Sequence, residues 1–219
     1  MQKSNRYKRF VNFTLILLFD FTSLTLLADE NGFSGSSKLM TSYSSLKTQI
    51  ASLQINAIRA DASCLTRISN SIWSQLNQSE KEDQTVKKTL NLDLRIMLLS
   101  KVQAAMNSKF NPQDLPVKPS LPDGLFLSGK KLSRDEEVRL KQKYENSLNE
   151  YGEKLNRYRT ENELCNIKED FIQTIIVLGG DAFKYNELEQ LLKKYNIDNT
   201  TKNRILDGVK IQVQNKSMK

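Results

Sequence analysis

The chain has 219 residues, a formal net charge of +8, two cysteines and no histidine. Without imidazole, Ser-His-Asp and Cys-His catalysis are excluded, and two thiols alone are too few ligands for a structural zinc site. The basic excess is mild and spread along the chain, unlike the dense Lys/Arg footprint of a dedicated nucleic-acid binder.

Residues 1–28 begin with Lys3, Arg6, Lys8 and Arg9 and continue as a largely apolar run over 11–28, with Asp20 its one charged interruption. Basic, then apolar, then the small Ala28 before Asp29 and Glu30 is the order of a secretory signal peptide. An uncleaved N-terminal membrane anchor is the alternative. Cleavage removes four basic side chains and one acidic one, so the charge falls from +8 to +5. The protein is therefore expected to be exported, to the periplasm or outside the cell.

A flexible segment, 29–37, leads into a stripe of apolar or small residues at Leu39, Tyr43, Leu46, Ile50, Leu53, Ala57, Ala60 and Cys64. Steps alternating between four and three keep one seam of a helix facing a partner helix. The stripe predicts a single helix over 39–77. Ser79 and Glu82 match a capping box opening a second helix to about residue 108. Within it, Leu90, Leu92, Leu94, Ile96 and Leu98 alternate with polar residues as a strand would. The Leu, Met, Lys and Ala content favours helix over 89–98.

All four prolines lie between Pro112 and Pro122, which marks 109–132 as a loop of extended character. Its Pro-x-x-P spacings also suit docking in a groove. Ser133 with Glu136 forms another capping box and opens the longest predicted helix, 134–178. Tyr144, Leu148, Tyr151, Leu155, Tyr158, Asn162, Cys165, Glu169, Ile172 and Ile176 form its stripe. Glu137–Lys141, Glu150–Lys154 and Glu153–Arg157 are spaced as ion pairs on a solvated flank. Gly179 and Gly180 are expected to stop this helix. A shorter helix follows near 182–195; in the tail Ile205 and Leu206 suit a helix, whereas 208–214 has the alternation of an edge strand, so both readings stay open there.

Cys64 and Cys165 both occupy seam positions. In an oxidising compartment such a pair is expected to form a disulfide pinning the two long helices antiparallel, a crosslink worth up to about 4 to 5 kcal/mol. The fold expected is mainly α: an antiparallel bundle, or coiled-coil-like hairpin of two long helices, with shorter helices packed alongside. It divides into a bundle over 38–178 and a C-terminal helical segment with a basic tail over 179–219.

No catalytic set emerges. Ser44 with Lys47 and Ser128 with Lys131 have Ser-x-x-K spacing, but the accompanying motifs are missing. Glu161, Glu163, Glu169 and Asp170 cluster on a charged, solvated helix. No cofactor or metal is expected. The expected function is protein interaction or scaffolding in the cell envelope, by a protein partner or self-association. Leu46, Ile50, Leu53, Tyr144, Tyr151 and Tyr158 are the candidate interaction residues. The alternative is weak binding of envelope polysaccharide, another polyanion or a membrane surface through the tyrosine stripe and the basic tail.

Overall fold

The computed structural model describes residues 37–78, 83–122, 133–182 and 185–218. They form a mainly α bundle: α1 Ser37–Ser52, α2 Ile55–Ala60, α3 Ser63–Leu76, α4 Gln84–Ala105, α5 Arg134–Ala182, α6 Tyr185–Lys194 and α7 Asn199–Ser217. No strand occurs among the described residues. The expected signal segment 1–28, nearly all of 29–37, and the Ser79–Glu82 capping box lie outside them.

α4 is the centre of the bundle. It packs against α1, α2, α3, α5 and α6, and residues 91–94 are buried without a break. A helix surrounded on all sides has no solvent face to mark its period. That is why 89–98 carries the alternation of a strand yet is helical. Asp83 caps its start, its carboxylate accepting a hydrogen bond from the Thr85 amide at 2.8 Å.

The single helix predicted over 39–77 is three helices. Leu39, Tyr43, Leu46 and Ile50 are buried as the stripe requires, but the chain leaves the helical path at Leu53 and Gln54 and again at Asp61. Side chains at these breaks take up the freed backbone groups. Lys101 of α4 donates from Nζ to the carbonyls of Ala51 at 2.8 Å and Leu53 at 3.0 Å, at the end of α1. Asp61 accepts from the amide of Ser63 at 3.2 Å, at the start of α3. The turn rotates the stripe, so Ala57 and Ala60 face solvent and Ile58 is buried in their place.

α5 runs through Gly179 and Gly180 rather than stopping there. These glycines lie where α7 crosses. A Cβ on Gly179 would stand 3.1 Å from Val209 Cγ2, and one on Gly180 would stand 2.7 Å from Gln212 Oε1. The missing side chains thus serve a close approach and not a turn. The chain does turn at Asn196, which has φ 53°. Around it, the Ile197 amide bonds to Leu192 O at 3.1 Å and the Asn196 amide to Lys193 O at 3.0 Å. This is the Schellman pattern, with Ile197 and Leu192 both buried beneath it. α7 then begins at once under the Asp198 cap, and the edge strand suggested for 208–214 is its second half.

Candidate interaction surfaces

The capping box predicted for α5 is formed. Glu136 Oε2 accepts from the Ser133 amide at 3.0 Å, while Ser133 Oγ accepts from the Glu136 amide at 3.3 Å. These bonds hold the Glu136 carboxyl below the usual carboxylate range, the Ser133 hydroxyl contributing most. From Arg134 to Glu163 no side chain is buried, and the first buried residue of α5 is Leu164. Residues 134–157 therefore make a helical arm, about 36 Å long at about 1.5 Å per residue, running beyond the core. Glu137–Lys141 at 2.6 Å and Glu153–Arg157 at 4.0 Å lie along it.

The candidate residues divide between core and arm. Leu46 and Ile50 are fully buried and Leu53 packs half-buried against the same cluster, so these three are interior and not an interaction face. Tyr144, Tyr151 and Tyr158 remain on the arm and its root, half-buried along with Leu148 and Leu155. At the root, Tyr158 donates its hydroxyl to Pro112 O at 2.7 Å and packs on Phe110 with ring centroids 5.6 Å apart. Glu161 accepts from the Asn107 amide at 2.8 Å. The chain leaving α4 is thereby tied to α5.

The expected bond between Cys64 and Cys165 is absent, and both cysteines are free and half-buried. Cys64 belongs to α3, which packs on α1, α2 and α4, whereas Cys165 belongs to α5, which packs mainly on α4 and α7. With the N-terminal rod broken, the long partner of α5 is α4, and α4 carries no cysteine. Burial pushes both thiols up, assisted by Asp61 at Cys64 and by Glu161 at Cys165. Such thiols are poor nucleophiles at neutral pH.

The acidic cluster on α5 is used structurally. Glu169 receives both terminal nitrogens of Arg204, one at 2.6 Å, and with them a bond from Gln173 at 2.9 Å. The Arg204 hydrogen bonds are the main reason its carboxyl lies below the usual range. Lys47, half of one Ser-x-x-K pair, lies over the Tyr43 ring at 5.8 Å. Ser128 and Lys131 are outside the described residues. In the tail, Arg204 pairs with Glu169, Lys202 bonds Asn199 at 3.0 Å, and Lys210 lies 3.6 Å from Asp207 and 4.7 Å from the Tyr185 ring centroid. Three cations of the basic tail are thus engaged within the molecule.

One constellation escaped the sequence reading. Asp93 is 6% exposed, and its carboxylate accepts from Tyr43 at 2.6 Å and from Tyr195 at 2.9 and 3.0 Å, with Lys194 Nζ 3.8 Å away. These groups come from α1, α4 and the end of α6. Burial, then the Asp93 charge, pushes both phenols well above their ordinary value. Beside it, Arg95 donates to Asn91 Oδ1 at 2.9 Å and to Ser69 Oγ at 2.7 Å. The signal available was Asp93 itself, a lone acid inside the run LNLDLRIMLL. A carboxylate held by two phenols and an ammonium group joins three helices.

The molecule thus belongs to the broad class of mainly α helical bundles. Comparison with protein-family models, with curated proteins and with solved structures finds no match. No group of three or more metal-ligating side chains, and no helix long and apolar enough to cross a membrane, occurs among the described residues.

Proposed function

We propose that the protein is an exported interaction or scaffolding protein of the cell envelope or extracellular space, and that the arm of α5 is its docking element. The observation that carries this reading is the absence of any buried side chain from Arg134 to Glu163, in a helix of 49 residues whose remainder sits in the core. A helix of that length contributes nothing to the core over its first half, so its selected use lies in what it displays. Export rests on the N-terminal residue order alone.

Polyanion binding ranks second, because Arg204, Lys202 and Lys210 are already engaged by Glu169, Asn199 and Asp207. Photo-crosslinking side chains placed at the exposed Val138 and Asn149, in cells of the native host, test the proposal. A discrete protein adduct that persists as salt is raised is the expected result. Adducts that vanish steeply with salt favour the polyanion, and no adduct at either position removes the arm from consideration.

A further inference from the structure

The most informative feature outside the helices is the segment after Asn111. A turn closes with the Asp114 amide on Asn111 O at 3.0 Å, and residues 114–122 then run on without helix, strand, turn or bend. Pro116, Pro119 and Pro122 fix their own φ, and each restricts the residue before it to extended geometry. Only Val117 and Ser120 between them escape both constraints. These constraints favour a polyproline II rod, in which every third residue shares a face. The burial pattern has that period. Pro116, Pro119 and Pro122 are half-buried, whereas Leu115, Val117 and Leu121 are 58%, 89% and 51% exposed.

What covers the prolines follows from where the rod begins and where the chain must go. It begins at the root of the arm, where Tyr158 holds Pro112 and Phe110. It has to reach Ser133, the residue that caps the arm's far end. A course back along the arm, antiparallel to α5, joins these two ends. The repeats are commensurate: prolines three apart on the rod are about 9 Å apart, and tyrosines seven apart on the helix are about 10 Å apart. The arm's own half-buried residues, Tyr144, Leu148, Tyr151 and Leu155, form the facing stripe.

We infer that residues 114–122 are a strap docked on the tyrosine face of the arm, with Pro116, Pro119 and Pro122 turned inward, and that this face is a receptor for proline-rich extended segments whose resident ligand is the chain's own. Aromatic rows of this kind accept such segments because a preformed polyproline rod loses little entropy on docking. The inference rests on the arm being the docking element and names the chemistry of what it takes.

Nitration by tetranitromethane of the full purified chain, with Tyr185 as the exposed internal reference, tests it without any partner. Replacing Pro116, Pro119 and Pro122 together by Gly is expected to raise the rates at Tyr144 and Tyr151 about threefold relative to Tyr185. Replacing the outward Leu115, Val117 and Leu121 by Ser is expected to leave them unchanged. A synthetic peptide spanning residues 110–123, in excess, is expected to slow nitration of the triple-Gly variant again. Unchanged rates in that variant, equal effects of the inward and outward sets, or no protection by the peptide would each overturn the inference. Because both variant sets lie on the strap surface, core folding is common to them. These readouts remain informative if crosslinking finds no partner, so the two proposals fail separately.

Discussion

Asp93 is a charge placed where charges are costly, and its two phenolic donors decide whether it is tolerated. Removing one donor leaves the carboxylate buried with fewer partners, so Tyr43→Phe is expected to lower stability by about 1.5 to 3 kcal/mol. Urea unfolding at neutral pH measures it. The same pair sets the alkaline limit. Both phenols have folded pKa values raised above the unfolded value, first by burial and then by the Asp93 charge. Their contribution is fully present below about pH 10 and is lost as pH rises further, because the unfolded phenols ionise while the folded ones hold their protons. Each such tyrosine steepens the loss by about 1.4 kcal/mol per pH unit. The Tyr43→Phe/Tyr195→Phe double variant should therefore start lower at pH 7 but show a shallower decline above pH 10. Parallel curves for the variant and wild type would refute this.

The helices depend on contacts at their ends and crossings more than on propensity. Asp198 caps α7, accepting from the Thr201 amide at 2.8 Å and hydroxyl at 2.7 Å, and it also receives Gln103 of α4 and Lys168 of α5. Burial alone would raise its carboxyl; the Thr201 bonds and Lys168 together outweigh this and lower it. A lowered carboxylate stabilises above the unfolded value near pH 4 and ceases to as pH falls through its folded value. Asp198→Ala is expected to cost about 1 kcal/mol at pH 7, with the difference closing toward pH 2 in a denaturant series. Two glycines predict opposite signs. Nothing lies within 4 Å of a Cβ on Gly152, so Gly152→Ala should stabilise by about 0.5 to 1 kcal/mol. At Gly208 a Cβ would stand 2.6 Å from Ile176 Cδ1 and 3.2 Å from its Cγ2, so Gly208→Ala should destabilise through overpacking by about 1 to 3 kcal/mol. Thermal melts of both variants, with Ile176→Val restoring Gly208→Ala, check the pair. The same glycines show what sequence could and could not supply. The capping box gave α5 its start, but the stripe missed its deepest face: Leu164, Ile167, Phe171 and Ile175 are buried with Ile172, while Cys165, Glu169 and Ile176 are half-buried, and a glycine pair reads alike whether it ends a helix or admits a neighbour. The breaks at Leu53 and Asp61 carried no proline or glycine, being held by Lys101 from a distant helix and by the local bond from the Ser63 amide to Asp61.

Across the whole molecule, packing is concentrated at one end of α5. The helical class was legible because periodic stripes survive wherever a helix keeps one face wet, and it blurred in α4, which keeps none. The disulfide failed as an expectation for the same reason at larger scale: seam positions say that a side chain meets a neighbour, not which neighbour. What the arm lacks in core it replaces with local support. A free-standing helix is limited by nucleation, but residues 134–157 extend a helix already nucleated in the bundle, closed at the far end by Ser133 and Glu136 and braced by Glu137–Lys141. Such support is weaker than burial. Opening the arm exposes no buried side chain, whereas opening 164–182 releases Leu164, Phe171, Ile172 and Ile175 from the core. Hydrogen exchange should therefore fall into two blocks along one continuous helix, with amides of 134–157 at least about a hundredfold less protected than those of 164–176. A strap lying on one side of the arm shields tyrosine rings without completing a core, so it is compatible with fast exchange beneath it. Uniform protection from one end of α5 to the other would mean that the arm is held by contacts equal to those of the core, and the free element proposed for docking would not exist.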